Sequence, residues 1–230
     1  MADRDALKRA AAAAAVAMVA DGMTIGLGSG TTAAFAVAAL GRRVKEGLRV
    51  TGVPTSEATA ALARAVGIPL AGLTQDRYLD LTIDGADQIA RGSLDLVKGL
   101  GGALLREKLV ARHSRRVIIV ADDSKLLDRL GAITPVPVAI LSFARDLALA
   151  GLAALGAAVA LRMDGARAYR TDDGLEIVDC RFTEIVDAGA LDSRIKACAG
   201  VVETGFFLGI ASQVMLGTAQ GVVNLTRNRG

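Results

Sequence analysis

Leu96-Val97-Lys98-Gly99-Leu100-Gly101-Gly102-Ala103-Leu104-Leu105-Arg106-Glu107-Lys108 is the stretch around which the chain is organised. A short apolar run ends in Lys98. Gly99, Gly101 and Gly102 then leave the backbone free to take positive φ and to lie close to a ligand. A helical pattern opens after them, with Leu104, Leu105 and Leu109 spaced for one buried face and Glu107 in the second turn. Strand, glycine turn and helix start bring an ammonium, backbone N–H groups and a carboxylate into one small volume. That set suits a reaction with a proton to remove and an oxyanion to stabilise. Taken by itself, the stretch is equally a tight strand-to-helix turn with a solvated charged face.

On either side, short apolar runs alternate with helical patterns. Helices are expected over Asp5–Ala20, Ala33–Leu40, Ala58–Val66 and Ala103–His113, and strands over Met23–Leu27, Leu48–Val53, Ile68–Ala71, Tyr78–Ile83, Leu94–Val97 and Val117–Val120. Gly41 and Gly67 read as helix stops and Ser56 as an N-cap. This alternation predicts an α/β fold: a Rossmann-like, mostly parallel sheet with helices on both faces. Ligands of such sheets bind outside the carboxyl ends of the strands. The rule gathers Gly28–Thr32, Pro54–Glu57, Asp84–Asp87, Lys98–Gly102 and Ala121–Lys125, all polar or glycine-rich, on one rim.

After Pro135 the order changes to strand Val136–Leu141, helix Phe143–Leu155, strands Ala158–Met163 and Leu175–Phe182, helix Ala190–Ala199 and strand Val201–Phe207. This β-α-β-β-α-β order predicts a small ferredoxin-like domain over 133–205. Residues 1–132 and 206–230 are expected to form the first domain, with apolar pieces at Gln213–Leu216 and Val222–Leu225 returning to it.

Gly26-Leu27-Gly28-Ser29-Gly30-Thr31-Thr32 lies between a strand and a helix, where backbone N–H groups and hydroxyls favour a phosphate. A dinucleotide fingerprint would need glycine where Thr31 stands, and a nucleotide P-loop would need a lysine beside it. The loop is therefore a phosphate cradle without a nucleotide signature, or a plain glycine turn. Asp84-Gly85-Ala86-Asp87 places two carboxylates where both can reach a ligand, to bind sugar hydroxyls or shuttle protons, or else to form an Asx-turn and a cap. Lys8 and Lys125 could reach an anion or remain solvated.

Composition removes other classes. The 230 residues carry 27 Lys and Arg against 24 Asp and Glu, a net charge of +3 with no basic stripe, and only 3% aromatics. Nucleic-acid binding is not expected. The single histidine, His113, excludes a His-rich metal site and is expected at a helix end; no metal and no cofactor are expected. Cys180 and Cys198 fit no redox or metal spacing, so reduced thiols and a cytoplasmic setting are expected. Ala10–Ala20 is too short to span a bilayer, and the acidic start Asp3-Arg4-Asp5 is unlike a signal peptide, so neither leader nor membrane segment is expected.

In order along almost the whole chain, these stretches resemble the A type of ribose-5-phosphate isomerases. The resemblance is carried by Gly26–Ala33, Thr55–Ala58, Asp84-Gly85-Ala86-Asp87, Lys98-Gly99 with Gly101–Leu104 and Arg106-Glu107-Lys108, Ala121-Asp122 with Ser124-Lys125, and Gly200-Val201-Val202 with Gly205. It implies cofactor-free interconversion of ribose 5-phosphate and ribulose 5-phosphate, in a homodimer or a dimer of dimers. The matching Glu107 would move a proton between C2 and C1 through an enediol(ate). Asp84 and Asp87 would serve ring opening and hydroxyl protons. Lys98 would stabilise the oxyanion, with backbone N–H groups of Gly99, Leu100 and Gly101. Ser29, Gly30, Thr31 and Thr32 would hold the phosphate with Lys8 and Lys125, and Gly85 and Ala86 would line the site. Leu100 stands where the family commonly has Gly or Arg, and Ser212 where it usually has Asp. A sugar-phosphate sensor and a related amino-sugar phosphate deaminase or CoA transferase are the alternatives. A sensor would not need Glu107 and Lys98 together, and a deaminase would be expected to use a catalytic histidine.

Overall fold

The computed structural model describes residues 3–227. Residues 1–2 and 228–230, at the ends of the expected first domain, lie outside them. A six-stranded sheet forms the centre, in the order Gly221–Thr226, Gln213–Thr218, Val117–Asp122, Leu81–Asp84, Thr24–Leu27, Thr51–Pro54. Neighbours run parallel except for the terminal hairpin, in which Gly221–Thr226 is antiparallel to Gln213–Thr218. The inner strands Thr24–Leu27, Leu81–Asp84 and Val117–Asp122 are short and buried on both faces, as a sheet covered by helices requires, while the edge strand Gly221–Thr226 is largely exposed.

Six helices accompany it among the described residues. Helix α1 (Arg4–Val16) starts at Asp3, whose side chain accepts the Asp5 N–H. It packs directly on the sheet because its buried face is alanine: Ala11, Ala12 and Ala15 are fully covered. A Cβ on Gly217 would lie 2.1 Å from the Leu7 carbonyl oxygen, so the strand beneath must also be bare there. Helix α2 (Gly30–Lys45) starts earlier than expected and runs straight through Gly41. Gly41 is a packing residue, since a Cβ there would meet Val66 at 2.5 Å. Ser56 caps α3 (Glu57–Ala65) by accepting the Thr59 N–H, as expected. The strand expected at Ile68–Ala71 is reduced to one bridge, Leu70 to Gly52.

The strand before the glycine turn departs most from expectation. Leu94 has φ +55°, the only positive φ at a non-glycine among the described residues, and this breaks the run. The strand is Leu96–Val97 alone, and it does not join the central sheet. It pairs antiparallel with Gln88–Ala90 and Phe206–Phe207, and Leu126–Leu127 lies parallel to Gln88–Ala90. Pieces of two or three residues carry no period, so this small sheet was not visible in the sequence. Helix α4 (Leu104–Arg112) follows and starts one residue late, so Glu107 falls in its first turn.

The second sheet has the order Val201–Thr204, Val136–Ile140, Glu176–Arg181, Ala158–Leu161, all antiparallel. With α5 (Arg145–Ala154) and α6 (Ala188–Lys196) it follows the expected β-α-β-β-α-β order. Alternation splits its strands between two cores. Val136, Val138, Ile140, Val178 and Cys180 pack with Ala148, Leu152 and Ile195 of its own helices. Ala139 and Ile177 face the other way and pack with Leu104, Phe207 and Leu216.

Lys108 seals that seam. It is 1% exposed, and its Nζ donates to Glu203 Oε1 at 2.7 Å and to the Thr204 carbonyl at 2.6 Å. Lys196 adds a second cation 3.1 Å from Glu203. Burial lowers the Lys108 pKa to about 8, and Glu203 only partly offsets it. Lys108→Ala is expected to cost about 3 kcal/mol or more in urea unfolding, because it removes one member of a buried pair. Lys108→Met combined with Glu203→Gln should recover most of that loss.

Candidate active site

The carboxyl ends of the central strands open on a cleft of about 390 Å³. All five expected loops reach it, and α1, the start of α4 and the second sheet's side supply the remaining walls. Lys98 and Glu107 line its floor, and Asp84 lies against Lys98 without lining the cleft; Asp84, Lys98 and Glu107 are exposed by 1%, 3% and 4%. Lys98 Nζ lies 3.1 Å from Glu107 Oε1, 3.2 Å from Asp84 Oδ2, and donates to the Gly85 carbonyl at 2.5 Å. Three elements deliver these groups: the end of a central strand, the end of the small sheet's strand, and the first turn of α4.

Asp84 Oδ1 accepts the N–H groups of Ser29 and Gly85, at 3.1 and 2.7 Å. Its Oδ2 faces the Lys98 ammonium without a well-aligned donor. Gly28 makes room for this: a Cβ there would sit 2.2 Å from Asp84 Oδ1. Burial raises the Asp84 pKa although Lys98 opposes it. Burial likewise pushes Glu107 up to about 8, with Lys98 pulling down and Asp84 pushing up. For Lys98, burial disfavours the charge, but Asp84, Glu107 and Asp87 outweigh it and raise the pKa. The ammonium is therefore fixed, while a carboxyl beside it can hold a proton near neutral pH.

The opposite end of the cleft is the start of α2. Ser29 is its N-cap but makes no side-chain cap. The first-turn N–H groups at Gly30, Thr31 and Thr32 therefore lack intrahelical partners, on a 16-residue helix whose last turn carries Arg42, Arg43 and Lys45. The Ser29 hydroxyl itself is engaged by Thr55 and Ser56, each at 2.8 Å, so it braces the loop. Lys125 lines the cleft and has no ion-pair partner among the described residues; Lys8 lines it too and also pairs with Asp5 at 3.2 Å. A helix start with two lysines beside it is chemically suited to an anion.

Leu100 sits differently from the other turn residues. Its side chain does not line the cleft, and its N–H donates to Asp87 Oδ2 at 2.9 Å. The positive φ values fall on Gly99 and Gly102, at +110° and +79°, so leucine is tolerated between them. Sequence reasoning missed Arg4, Tyr169 and Asp172, which also line the cleft. Arg4 is one helical turn before Lys8 and could have been found by that spacing. Tyr169 and Asp172 arrive from the connection between two strands of the second sheet, and no local signal marks them. His113 caps α4 and stacks on Tyr78 at 4.4 Å, away from the cleft.

Residues 51–221 match the family model of ribose 5-phosphate isomerase A (phosphoriboisomerase A). The chain belongs to the ribose 5-phosphate isomerase A family. It is 50% identical to the ribose-5-phosphate isomerase A of Gloeobacter violaceus, over 97% of each chain. The solved ribose 5-phosphate isomerase A of Methanocaldococcus jannaschii superposes with a TM-score of 0.92 at 38% identity, covering 97% of this chain and 99% of that one. A D-ribose-5-phosphate isomerase in complex with phospho-erythronic acid superposes with a TM-score of 0.94 at 35% identity, covering 98% and 100%. The chain is thus an isomerase with the mixed α/β architecture of this family. No helix of the described residues is long and apolar enough to cross a membrane.

Carboxyl NMR titration reads the floor of the cleft directly. Glu107 is expected to titrate far above the usual 4.5, toward about 8. Asp84→Asn should move that midpoint down, because it removes the neighbouring negative charge and leaves Lys98 to Glu107.

Proposed function

We propose that this chain interconverts D-ribose 5-phosphate and D-ribulose 5-phosphate through an enediol(ate), in the non-oxidative pentose phosphate pathway of the cytoplasm, as a homodimer. Residues 1–132 and 206–230 form the catalytic unit in this reading, and 133–205 the second unit. The observation that carries it is the pairing of an uncapped helix start, fit for a phosphate, with a buried carboxylate–ammonium–carboxylate group in the same cleft. The relatives' names supply the substrate, and their role in metabolism supports the compartment.

The phosphate sits on the N–H groups of Gly30, Thr31 and Thr32, with Lys125 and Lys8 neutralising its charge. That anchors the sugar with C1 and C2 toward the floor. Asp84 and Asp87 assist ring opening, moving protons between the ring oxygen and O1. Glu107 then takes the C2 proton. The C2–H electron pair forms the C1–C2 double bond, and the carbonyl pair moves onto O1. Lys98 meets that oxyanion with a charge that its neighbours keep fixed. Reprotonation at C1 by Glu107, with a proton passing from O2 to O1, gives the ketose. A base contributes typically ~10²–10⁴-fold and one placed oxyanion donor ~10²–10³-fold, so neither suffices alone. Turnover should rise with pH as Glu107 loses its proton and fall away below that range.

A coupled assay with ribose 5-phosphate, with chelator and no added cofactor, tests the reading. Rapid ribulose 5-phosphate formation is expected. Glu107→Gln should keep sugar-phosphate binding and lose about 10²-fold or more in kcat; a rate within about tenfold of the unaltered chain would remove Glu107 from the base role. Lys125→Ala should raise KM by about tenfold with a smaller change in kcat, as loss of uniform phosphate binding does.

A further inference from the structure

The glycine turn is held by two residues of the second unit, Arg162, which does not line the cleft, and Tyr169, which does. Arg162, just past the strand Ala158–Leu161, donates from a single nitrogen, Nη1, to the carbonyls of Gly99 and Leu100, each at 2.9 Å. Its other edge is fixed by Asp179, with Nε 2.9 Å from Oδ2. Its guanidinium lies 5.8 Å from the Tyr169 ring centroid. Tyr169 in turn donates its hydroxyl to the Gly101 carbonyl at 3.3 Å. Gly102, at φ +79°, lets that ring lie on the turn: a Cβ there would meet the Tyr169 hydroxyl oxygen at 2.2 Å. Three successive carbonyls, of residues 99 to 101, thus accept from the second unit, and the Gly99 carbonyl also accepts the Gly102 N–H at 3.0 Å within the turn.

A trans peptide carries its C=O and N–H on opposite edges. Holding the Gly99 carbonyl outward turns the Leu100 N–H inward, where it donates to Asp87 Oδ2. Holding the Leu100 carbonyl outward turns the Gly101 N–H the same way. Gly101 lines the cleft, and its N–H has no acceptor among the described residues. We infer that Arg162, braced by Asp179 and assisted by Tyr169, is a positioning residue that aims the Gly101 N–H at the oxyanion formed during isomerisation. Arg162 touches neither substrate nor reacting atoms in this role; it acts through two peptide planes. The inference rests on the enediolate reading given above.

Two variants and two inhibitors test it. Arg162→Lys keeps a cation but loses the planar guanidinium whose one edge is fixed by Asp179 while Nη1 reaches both carbonyls. Tyr169→Phe removes one hydroxyl. Phospho-erythronic acid presents a carboxylate where the enediolate oxygens would lie, and erythritol 4-phosphate keeps the phosphate and chain without it. For Arg162→Lys, kcat should fall about tenfold to a hundredfold with little change in KM, because a displaced donor is lost mainly from the transition state. Inhibition by phospho-erythronic acid should weaken by about tenfold while that by erythritol 4-phosphate stays the same. Tyr169→Phe should shift both readings in the same direction by less. Equal weakening of both inhibitors would mark a merely structural role and overturn the inference, as would an unchanged kcat and unchanged discrimination. If Arg162→Lys does not fold, unchanged discrimination in Tyr169→Phe overturns it instead. An unaltered chain that bound the two inhibitors equally would overturn the enediolate reading itself.

Discussion

The Lys98 ammonium between Asp84 and Glu107 is the constraint on which the site depends. Two carboxylates excluded from water repel each other and lose their hydration, and neither would remain charged there without a cation in contact. Lys98 lies within 3.2 Å of both. The group is not a stability device, since a well-packed apolar set would serve that purpose as well or better. Its value is chemical. It keeps a proton acceptor poised near neutrality beside a charge that does not titrate, in a volume where little water screens either.

That arrangement dictates much of the fold around it. The three groups come from different elements, so each element must be held in register with the others. Asp84 ends a central strand and is clamped by two N–H groups of the adjoining loops. Lys98 leaves a strand that belongs to a separate small sheet, which lets its turn rise over the rim instead of lying in the row of central strands. Glu107 is fixed by α4, and α4 is fixed by Lys108 reaching Glu203 on the second sheet. The opposite end of the cleft is built differently: α2 omits its side-chain cap, and positive charge there comes from backbone and from lysines that line the cleft.

Much of this was legible in the sequence because the central architecture is periodic. Buried four-residue strands, helices with alanine faces and glycine- or serine-marked turns all declare themselves locally, and they bring five loops to one rim. The residues around the floor of the cleft were legible because Asp84, Lys98 and Glu107 sit at the ends of elements, which is where ligands of such sheets bind. What stayed hidden has no period. Gln88–Ala90, Leu96–Val97, Leu126–Leu127 and Phe206–Phe207 are too short to show one, and Gly41 looks like a stop although its neighbour Val66 requires it. Arg162 and Tyr169 stood outside every motif because their partners are carbonyl oxygens some 60 residues earlier, and a backbone carbonyl leaves no mark on sequence.

Lys98 and Lys108 set out the governing balance within one stretch. Both are buried, and both place their ammonium over the same ring, Phe207, at 5.5 and 4.9 Å. Burial pushes both toward neutrality, yet they move in opposite directions. Lys98 faces three carboxylates and is held charged; Lys108 faces chiefly Glu203, with Lys196 competing for it, and falls to about 8. The number of nearby anions, not the depth of burial, decides which lysine is a permanent cation. Of the two, only the one with an excess of anions can meet a developing oxyanion without itself giving up a proton. The other can join α4 to the second sheet, where one carboxylate and one carbonyl are enough to satisfy it.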